Sequence, residues 1–177
     1  LIVTGVQTCA LPILELDCKH MDSVRILVTG GSGFVGSHLI KELLSQEYKD
    51  IYSTTFSSAS MTLLDADHVI AVDLTDTMAT EGLIANLKPD WIFHTAVYGA
   101  YSYQQDIDQT IQTNIVGTFN LLECAREYWS NLSDDLKKQF RFHHVSTDEV
   151  YGSLSAKDPA FSETNPYEPN SPYSASK

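Results

Sequence analysis

The chain has 177 residues, of which 43% are hydrophobic, and a formal net charge of -12. This length and composition suffice for one domain with a full core and exclude a disordered or fibrous protein. The acidity argues against nucleic acid and anionic membranes as partners. The three cysteines, Cys9, Cys18 and Cys124, are an odd set without CxxC spacing. We therefore expect no disulfide framework, no zinc site and a cytoplasmic location.

The first 20 residues differ from the rest of the chain. The run from Leu1 to Leu14 is apolar, but it lacks an initiating Met and a basic flank and contains Pro12. It matches neither a signal peptide nor a membrane span. Residues 5–13 look like a translated sequencing-adapter remnant. We expect residues 1–20 to be a non-native or disordered extension, and Met21 to be the natural start of a domain at 21–177.

From Val24 onward, short β-rich apolar runs alternate with longer helical stretches. The pattern predicts strands at 24–29, 51–55, 68–72, 91–94 and 140–146, and helices at 34–46, 77–87 and 105–129. In the last helix, apolar residues recur at three- and four-residue steps at Ile107, Ile111, Ile115, Phe119, Leu122 and Ala125. Residues 152–172, rich in Ser, Pro and Asn, predict a surface loop. The alternation predicts an α/β fold with a Rossmann-like, doubly wound parallel sheet.

A glycine-rich segment joins the first predicted strand to the first predicted helix. It reads GGSGFVG over residues 30–36, so that Gly30, Gly33 and Gly36 are spaced GxxGxxG. The first glycine would permit a tight turn, the second would let the backbone approach a pyrophosphate, and the third would let the helix pack on the sheet. Phosphates would lie at the helix N-terminus, where free N–H groups favour negative charge. A glycine-rich turn without a ligand is the alternative, which the flanking strand and helix disfavour.

The GxxGxxG spacing resembles that of the extended short-chain dehydrogenase/reductase family. By that resemblance, the pyrophosphate and adenine ends of a dinucleotide would contact Phe34, Val35, Asp73 and Leu74. Asp73 is equally explained as a helix-capping residue. The resemblance also assigns cofactor contacts to the residues after the fourth strand and on the next helix, namely Thr95, Ala96 and Thr113.

The residues at the end of the second predicted strand do not distinguish NAD from NADP. NAD-binding domains have an acidic residue about 20 positions past the glycines that holds the ribose 2′-hydroxyl. Residues 53–58, STTFSS, contain no such carboxylate and no Arg for the 2′-phosphate of NADP. NAD is the cofactor that the resemblance implies, with NADP as the alternative.

Tyr173 and Lys177 stand four residues apart, so on a helix they would share a face one turn apart. A nearby Lys cation would lower the Tyr pKa from its ordinary value toward the working pH. Such a Tyr can take a proton from a sugar hydroxyl while hydride leaves the same carbon. YxxxK is common by chance, but downstream of GxxGxxG it predicts a catalytic pair that also contacts the cofactor.

The segment after the fifth strand reads STDEVYG over residues 146–152, at the sheet edge where open α/β folds bind ligands. With FSE at 161–163 and PNSPY at 169–173, it resembles the dTDP-glucose 4,6-dehydratase branch of the family. Loss of water across C5 and C6 needs an acid and a base. By resemblance Asp148 is the acid, Glu149 is the base, and the Thr147 hydroxyl hydrogen-bonds the sugar C4 oxygen. A polar turn without a catalytic role is the alternative.

The fourth strand departs from that branch. HTAVYGAY at 94–101 stands where the branch has HLAA followed by Ser, and it resembles reductases and epimerases acting on other sugar nucleotides. A nucleotide-sugar 4-epimerase or reductase is therefore the alternative function. A non-catalytic dinucleotide-sensing module is a third hypothesis, disfavoured because it would not need both Tyr173 and Lys177.

The resemblance covers residues 21–177, about the first half of such enzymes. It implies a dinucleotide-binding domain truncated before a C-terminal substrate lobe, inactive alone, with a nucleotide-sugar substrate and a homodimer for the complete protein. His143 and His144 would point to opposite faces of a strand and could not easily share a metal, so no metal is expected.

Overall fold

The computed structural model describes residues 24–56 and 63–177; the expectation for residues 1–20 lies outside them. The strands are β1 (Ile26–Thr29), β2 (Ile51–Thr55), β3 (Val69–Ala71), β4 (Trp91–His94) and β5 (Arg141–His144). The helices are α1 (Phe34–Ser45), α2 (Thr77–Leu87), α3 (Ile107–Ile111), α4 (Gly117–Ser130), α5 (Asp134–Gln139) and α6 (Pro172–Ala175). All strand pairs are parallel, in the order β3-β2-β1-β4-β5. This confirms the predicted doubly wound sheet, whose order runs outward from β1 in both directions.

Side chains of β1 alternate between two hydrophobic cores, because successive residues of a strand face opposite sides of the sheet. Ile26 and Val28 pack with Ile40 of α1 on one face. Leu27 packs on the other face with α2 and α4, including Ile84 and Leu121. Each of these buried aliphatic side chains contributes about 1.5–3 kcal/mol. Covering both faces of the sheet leaves its carboxyl edge as the place where a site can form.

The helix predicted at 105–129 is divided into α3, a π-helical turn at Gln112–Val116, and α4. The apolar residues whose spacing predicted this helix do not all face the core. Four of them, Ile107, Ile111, Ile115 and Phe119, are 54%, 42%, 47% and 63% exposed. The buried positions there are Thr110, Asn114 and Gly117, because this part of the helix packs on polar loops rather than on a core.

Other differences concern short elements. The fifth strand is shorter than the predicted 140–146, although the Val145 amide still bonds the His94 carbonyl at 3.1 Å. The sequence analysis missed α5, whose charges are arranged along the helix dipole, acidic in the first turn and basic in the last. Residues 152–171 form an exposed segment without helix or strand, which confirms the predicted surface loop.

Candidate active site

Three segments meet at the carboxyl edge of the sheet. They are the turn after β1, the residues after β4 and the residues after β5, and the parallel register of these strands brings their ends together. Open α/β sheets bind ligands at this edge. The candidate active site is therefore built from loops that a rigid sheet positions.

The turn after β1 depends on close backbone packing. Gly30 has a φ of +70°, which favours glycine, and a Cβ there would lie 2.7 Å from the Cα of Ala96. A Cβ on Gly36 would lie 2.8 Å from both the Cα of Gly31 and Oγ1 of Thr95. These two glycines allow a tight turn and close packing of α1. The pair thus sets where α1 begins.

The start of α1 presents unpaired donors. Gly33 is its N-cap, no side chain caps the helix, and the first turn carries no acidic residue. The first helical bond is donated by the Ser37 amide to the Gly33 carbonyl, at 2.9 Å. Phe34 and Val35, which precede that bond, are 68% and 50% exposed. This positive end of the helix dipole, with its free N–H groups, fits a phosphate group.

Gly31 is a residue of this turn whose role sequence reasoning missed. It is buried, and a Cβ there would overlap the Ser53 side chain and lie 2.7 Å from Cδ1 of Ile40. In the sequence, the sign of this role was that Gly31 directly follows Gly30. The side chain that leaves no room for a Cβ at Gly31 is that of Ser53 on β2. The constraint therefore becomes visible only when β1 and β2 are paired in parallel.

Asp73 and Leu74 follow β3, and the Asp73 carboxylate closes a local turn. Its Oδ1 accepts bonds from the Thr75 amide at 2.9 Å and the Thr75 hydroxyl at 2.7 Å. The helix-capping alternative for Asp73 is wrong, because Asp76 is the N-cap of α2. The half-buried Leu74 accepts a bond at its carbonyl from the Asn120 amide, at 3.0 Å. The side chain of Asp73 remains exposed.

Thr113 and the end of β2 are the two other places that the sequence analysis related to the cofactor. Thr113 is half-buried in the π-helical turn. At the end of β2, Ser53 to Thr55 are buried, whereas Ser57 and Ser58 lie outside the described residues. The described end of β2 supplies no carboxylate, in line with the sequence.

A hydrogen-bond network ties the ends of β1 and β4 together. The Thr95 hydroxyl donates to the Thr29 carbonyl at 2.5 Å, and the Ala96 amide donates to Thr29 Oγ1 at 3.3 Å. His94 contacts Thr29 Oγ1 through Nδ1 at 2.6 Å and Thr118 Oγ1 through Nε2 at 2.8 Å. Thr95 and Ala96 thus fix the strand ends beside the glycine turn.

His94 is held uncharged. Its side chain is fully buried, and burial lowers its pKa to about 3, with further lowering by the charges of His144 and Lys177. A neutral imidazole offers one donor and one acceptor, which the two threonine hydroxyls satisfy.

Tyr173 lies on α6, a helix of only four residues. The helix begins with a capping box in which the Ser171 hydroxyl accepts from the Ser174 amide at 3.0 Å and the Ser174 hydroxyl accepts from the Ser171 amide at 3.1 Å. Lys177 follows the C-cap residue Ser176, two residues after the last residue of α6.

Within the described residues, Lys177 is not among the groups that shift the pKa of Tyr173. Burial raises the pKa of Tyr173, and the charges of Glu149 and Asp148 raise it further, against a hydrogen bond with Thr147 that lowers it. The predicted lowering by Lys177 is wrong for the protein alone. Lys177 is itself half-buried, and burial lowers its pKa to about 8.

Thr147, Asp148 and Glu149 converge on Tyr173. They begin a 3-10 turn, Asp148–Tyr151, for which Thr147 is the N-cap and accepts from the Glu149 amide at 3.3 Å. Thr147 shares a hydrogen bond with Tyr173, and both carboxylates are close enough to act on its pKa. Asp148 and Glu149 are exposed. A phenol, a hydroxyl and two carboxylates are therefore grouped close enough to interact.

Asn114 is a structural residue of the site that sequence reasoning did not single out. It is 2% exposed, and its Oδ1 accepts from the Tyr98 amide at 2.8 Å. Its Nδ2 donates to the Tyr98 carbonyl at 2.7 Å and to Ser176 Oγ at 2.8 Å. Asn114 thus joins the loop after β4 to the end of α6. Its position in the π-helical turn, which has no sequence signal, makes this reach possible.

The described residues offer neither a metal-binding cluster nor a membrane-spanning helix. Residues 24–56 and 63–177 contain no group of three or more His, Cys, Asp or Glu side chains that could hold a metal. Across the same ranges, no helix is long and apolar enough to cross a membrane.

This sheet order, glycine turn and Tyr173 with its neighbours define a Rossmann-like domain of the epimerase/dehydratase class of short-chain dehydrogenases/reductases. Residues 27–177 match the family model described as GDP-mannose 4,6 dehydratase, and the chain belongs to this family. The resemblance predicted from the sequence is confirmed at that level.

Curated relatives and solved structures agree with this membership. The dTDP-glucose 4,6-dehydratase of Haemophilus influenzae is 41% identical over 169 residues, covering 87% of this chain and 48% of the relative. The enzyme of the same name from Neisseria meningitidis is 40% identical over 168 residues, covering 86% and 46%. The chain thus spans about half the length of the curated relatives it matches.

Among solved structures, UDP-glucose 4-epimerase of Thermus thermophilus, in complex with NAD, has a TM-score of 0.72 at 28% identity. The alignment covers 87% of this chain and 47% of the epimerase. The dTDP-glucose 4,6-dehydratase of Bacillus anthracis, also with NAD, has a TM-score of 0.66 at 31% identity and coverages of 88% and 47%. Both dehydratases and epimerases therefore share this fold.

Proposed function

We propose that the complete protein is an NAD-dependent nucleotide-sugar 4,6-dehydratase, with this chain as its dinucleotide-binding part. The observation that carries the proposal is the grouping of Thr147, Asp148 and Glu149 around Tyr173. An epimerase needs the phenol and the hydroxyl, but elimination of water also needs an acid and a base. The names of the curated relatives support the same function.

The cofactor proposed is NAD. The free amides of Phe34 and Val35 at the start of α1 fit its pyrophosphate, and Gly30, Gly33 and Gly36 let the backbone approach it. Adenosine contacts are assigned to Asp73 and Leu74, and nicotinamide-side contacts to Thr95, Ala96, Thr113, Tyr173 and Lys177. When bound, NAD supplies a transient acceptor for hydride from the sugar C4, which returns to C6.

The chain's own groups would divide the proton transfers. Tyr173, with its Thr147 hydrogen bond, would take the proton of the C4 hydroxyl, and Lys177 would contact the nicotinamide side of the cofactor. Glu149 would remove the C5 proton, and Asp148 would give a proton to the C6 hydroxyl as it leaves as water. When the hydride returned to C6, Glu149 would give its proton back to C5, and the proton taken by Tyr173 would balance the one that Asp148 gave up. The net reaction would then be loss of one water.

A nucleotide-sugar 4-epimerase is the second candidate. The loop after β4 supports it, since its YGA sequence at 98–100 differs from the dehydratase pattern. Gly99 there has a φ of +91°, and a Cβ on it would lie 3.4 Å from the Cβ of Tyr173. In an epimerase no proton would have to leave C5, so the carboxylates would be dispensable.

The test is the double variant Asp148→Asn, Glu149→Gln of the full-length protein, given candidate nucleotide hexoses. If the protein is a dehydratase, C4 oxidation survives, reduced nicotinamide accumulates, and the 4-keto-6-deoxy product forms about 10²–10⁴-fold more slowly, because the acid and base are gone. Asp158→Asn, Glu163→Gln is the matched control: both carboxylates are exposed on the surface loop. Full activity of the first double variant, or a wild-type product that keeps its C6 hydroxyl, would overturn the proposal in favour of the epimerase.

We further propose that the complete protein is a cytoplasmic homodimer acting on a nucleotide sugar rather than on nucleic acid. The net charge of -12 and the free thiol of Cys124 support the location and the ligand class. The exposed stripe on α3, the π-helical turn and α4 supports self-association. Ile111→Asp should then give a monomer in sedimentation experiments on the full-length protein, whereas Leu136→Asp on α5, also exposed, should not. A dimer in both variants would contradict this assignment.

A further inference from the structure

The surface loop at 152–171 is closed at its base, between the two segments that carry the candidate catalytic groups. The Glu168 amide donates to the Val150 carbonyl at 3.0 Å. The side-chain amide of Asn170 donates to Ser153 Oγ at 2.6 Å. We call this pair of contacts the neck of the loop. The neck joins the chain just after the 3-10 turn to the chain just before α6.

Gly152 lets the two sides of the neck approach each other. Its φ of +100° and ψ of -140° form a backbone conformation that residues other than glycine rarely adopt. A Cβ there would lie 2.9 Å from the carbonyl oxygen of Glu168. The Gly152 amide donates to the Glu149 carbonyl at 3.0 Å, which closes the 3-10 turn. Such a conformation persists only where the surrounding structure holds it, so the neck is a specific feature of the loop.

Three aromatic rings pack beside the neck. Tyr151, the last residue of the 3-10 turn, is 9% exposed and stacks on Tyr167, with ring centroids 5.5 Å apart and ring planes 14° apart. The ring of Phe161 lies 5.4 Å from that of Tyr151 in a tilted arrangement. Stacked and tilted ring pairs attract each other beyond the area that they bury. The stack therefore links the residue after Val150 to the residue before Glu168, across the neck.

Short connectors run from the neck to the catalytic groups. On one side, the 3-10 turn joins Val150 to Thr147, whose carbonyl accepts from the Val150 amide at 3.5 Å. On the other side, Pro169 and Pro172 restrict the backbone just before Tyr173. The 3-10 turn and α6 also contact each other directly. A change at the neck should therefore move one catalytic segment relative to the other.

We propose that Tyr151 and Tyr167 are positioning residues for the reaction. Their stack holds the neck closed, and the closed neck fixes residues 147–149 relative to Tyr173. Both tyrosines act through the neck rather than by contact with a reacting atom. The proposal rests on the proposed function for the joint action of these groups, although the epimerase alternative needs the same pairing of a hydroxyl with a phenol.

The experiment compares Tyr167→Ala with Tyr167→Phe in the full-length protein. Tyr167 is 76% exposed, so its truncation should leave no cavity and should not prevent folding. In the cofactor-free protein, amide hydrogen exchange of peptides covering 147–153 and 168–177 should become about two- to tenfold faster in both peptides of Tyr167→Ala, the change that loss of one ring stack produces. Tyr167→Phe keeps the ring and should restore the wild-type exchange.

Steady-state kinetics with nucleotide hexoses provide the second readout. In Tyr167→Ala, kcat should fall about tenfold because the reacting groups are misplaced, while KM should stay within about twofold because no substrate contact is removed. Asp158→Ala is the matched control and should change neither readout. It removes the bond that the Ser155 amide donates to Asp158 at 2.6 Å, in a turn of the same loop that is not part of the neck.

The buried side of the stack gives an independent comparison, with Tyr151→Leu removing the ring and Tyr151→Phe keeping it. Faster exchange in only one of the two peptides, or faster exchange in both with an unchanged kcat, overturns the proposal. So does a lower kcat with unchanged exchange. If the wild-type protein turns over no nucleotide hexose, the proposed function fails, and the role of the neck is then decided by whether both peptides change together.

Discussion

The glycine turn before α1 and the catalytic end of β5 meet at the same edge of the sheet but are built by different means. The glycine turn uses backbone: no side chain caps α1, and the shape of the turn depends on missing side chains at Gly30, Gly31 and Gly36. The catalytic end uses side chains from two separate segments, residues 147–149 and Tyr173. Side-chain atoms added in the glycine turn would collide with the backbone and side chains around it. The catalytic end depends instead on the chemical identity of each functional group. Substitutions in the glycine turn should therefore act through packing, and those at the catalytic end through the loss of a reacting group.

The largest effect expected is that of Tyr173→Phe in the full-length protein. It removes the phenol hydroxyl but keeps the ring, so folding and NAD binding should be retained while hydride transfer falls by about 10²–10⁴-fold. Single-turnover reduction of bound NAD is the measurement. Tyr167→Phe, an exposed tyrosine of the surface loop, is the control and should keep full activity. Normal reduction of NAD by Tyr173→Phe would show that another group is the base.

The backbone region is tested by Gly36→Ala against Gly33→Ala. A Cβ at position 36 meets Gly31 and Thr95 at 2.8 Å, whereas at position 33 it meets the Gly30 carbonyl at 3.2 Å. We expect Gly36→Ala to lower the free energy of unfolding by about 1–3 kcal/mol through overpacking. Gly33→Ala should act mainly on NAD affinity. Urea unfolding of the cofactor-free protein, together with NAD titration, measures both; equal stability losses would refute the distinction.

Acid should destabilise the network at the end of β4. The pKa of His94 is lowered from 6.5 to about 3, so the unfolded chain binds the proton more readily. The stabilisation is complete above the unfolded pKa and is lost as the pH falls from 6.5 toward 3. At pH 5 the loss from this residue is about 2 kcal/mol. The difference between the urea midpoints at neutral pH and at pH 5 should therefore shrink in His94→Leu but not disappear, because the pKa of His144 is also lowered, to about 4. The control His38→Gln, on the exposed face of α1, should leave the difference unchanged.

The smallest effect expected is that of Ser171→Ala, which removes half of the capping box of α6. Loss of an N-cap costs about 1 kcal/mol, and here it acts on the short helix that carries Tyr173. We expect a severalfold decrease in kcat with little change in KM for the nucleotide sugar. Ser45→Ala, at the exposed C-terminal end of α1, is the control. An unchanged kcat would mean that Asn114 and Ser176 hold α6 without its cap.

Much of the fold followed from local pattern. The strands and the first two helices were predicted nearly at their observed bounds, because alternation and periodicity are properties of neighbouring residues. The helix at 105–129 was predicted only in part. Its π-helical turn depends on Asn114 reaching Tyr98 and Ser176, contacts that no periodicity indicates.

The sequence by itself determined the sheet, the glycine turn and the candidate chemistry of Thr147, Asp148, Glu149 and Tyr173, since each lies in a short motif whose spacing carries its meaning. Only the tertiary structure decided the electrostatics. Burial raised the Tyr173 pKa where the YxxxK spacing predicted lowering, and the charge of Lys177 acts instead on the pKa values of His144 and His94, lowering both. Desolvation depends on everything packed around a group, and most of that packing comes from residues distant in the chain.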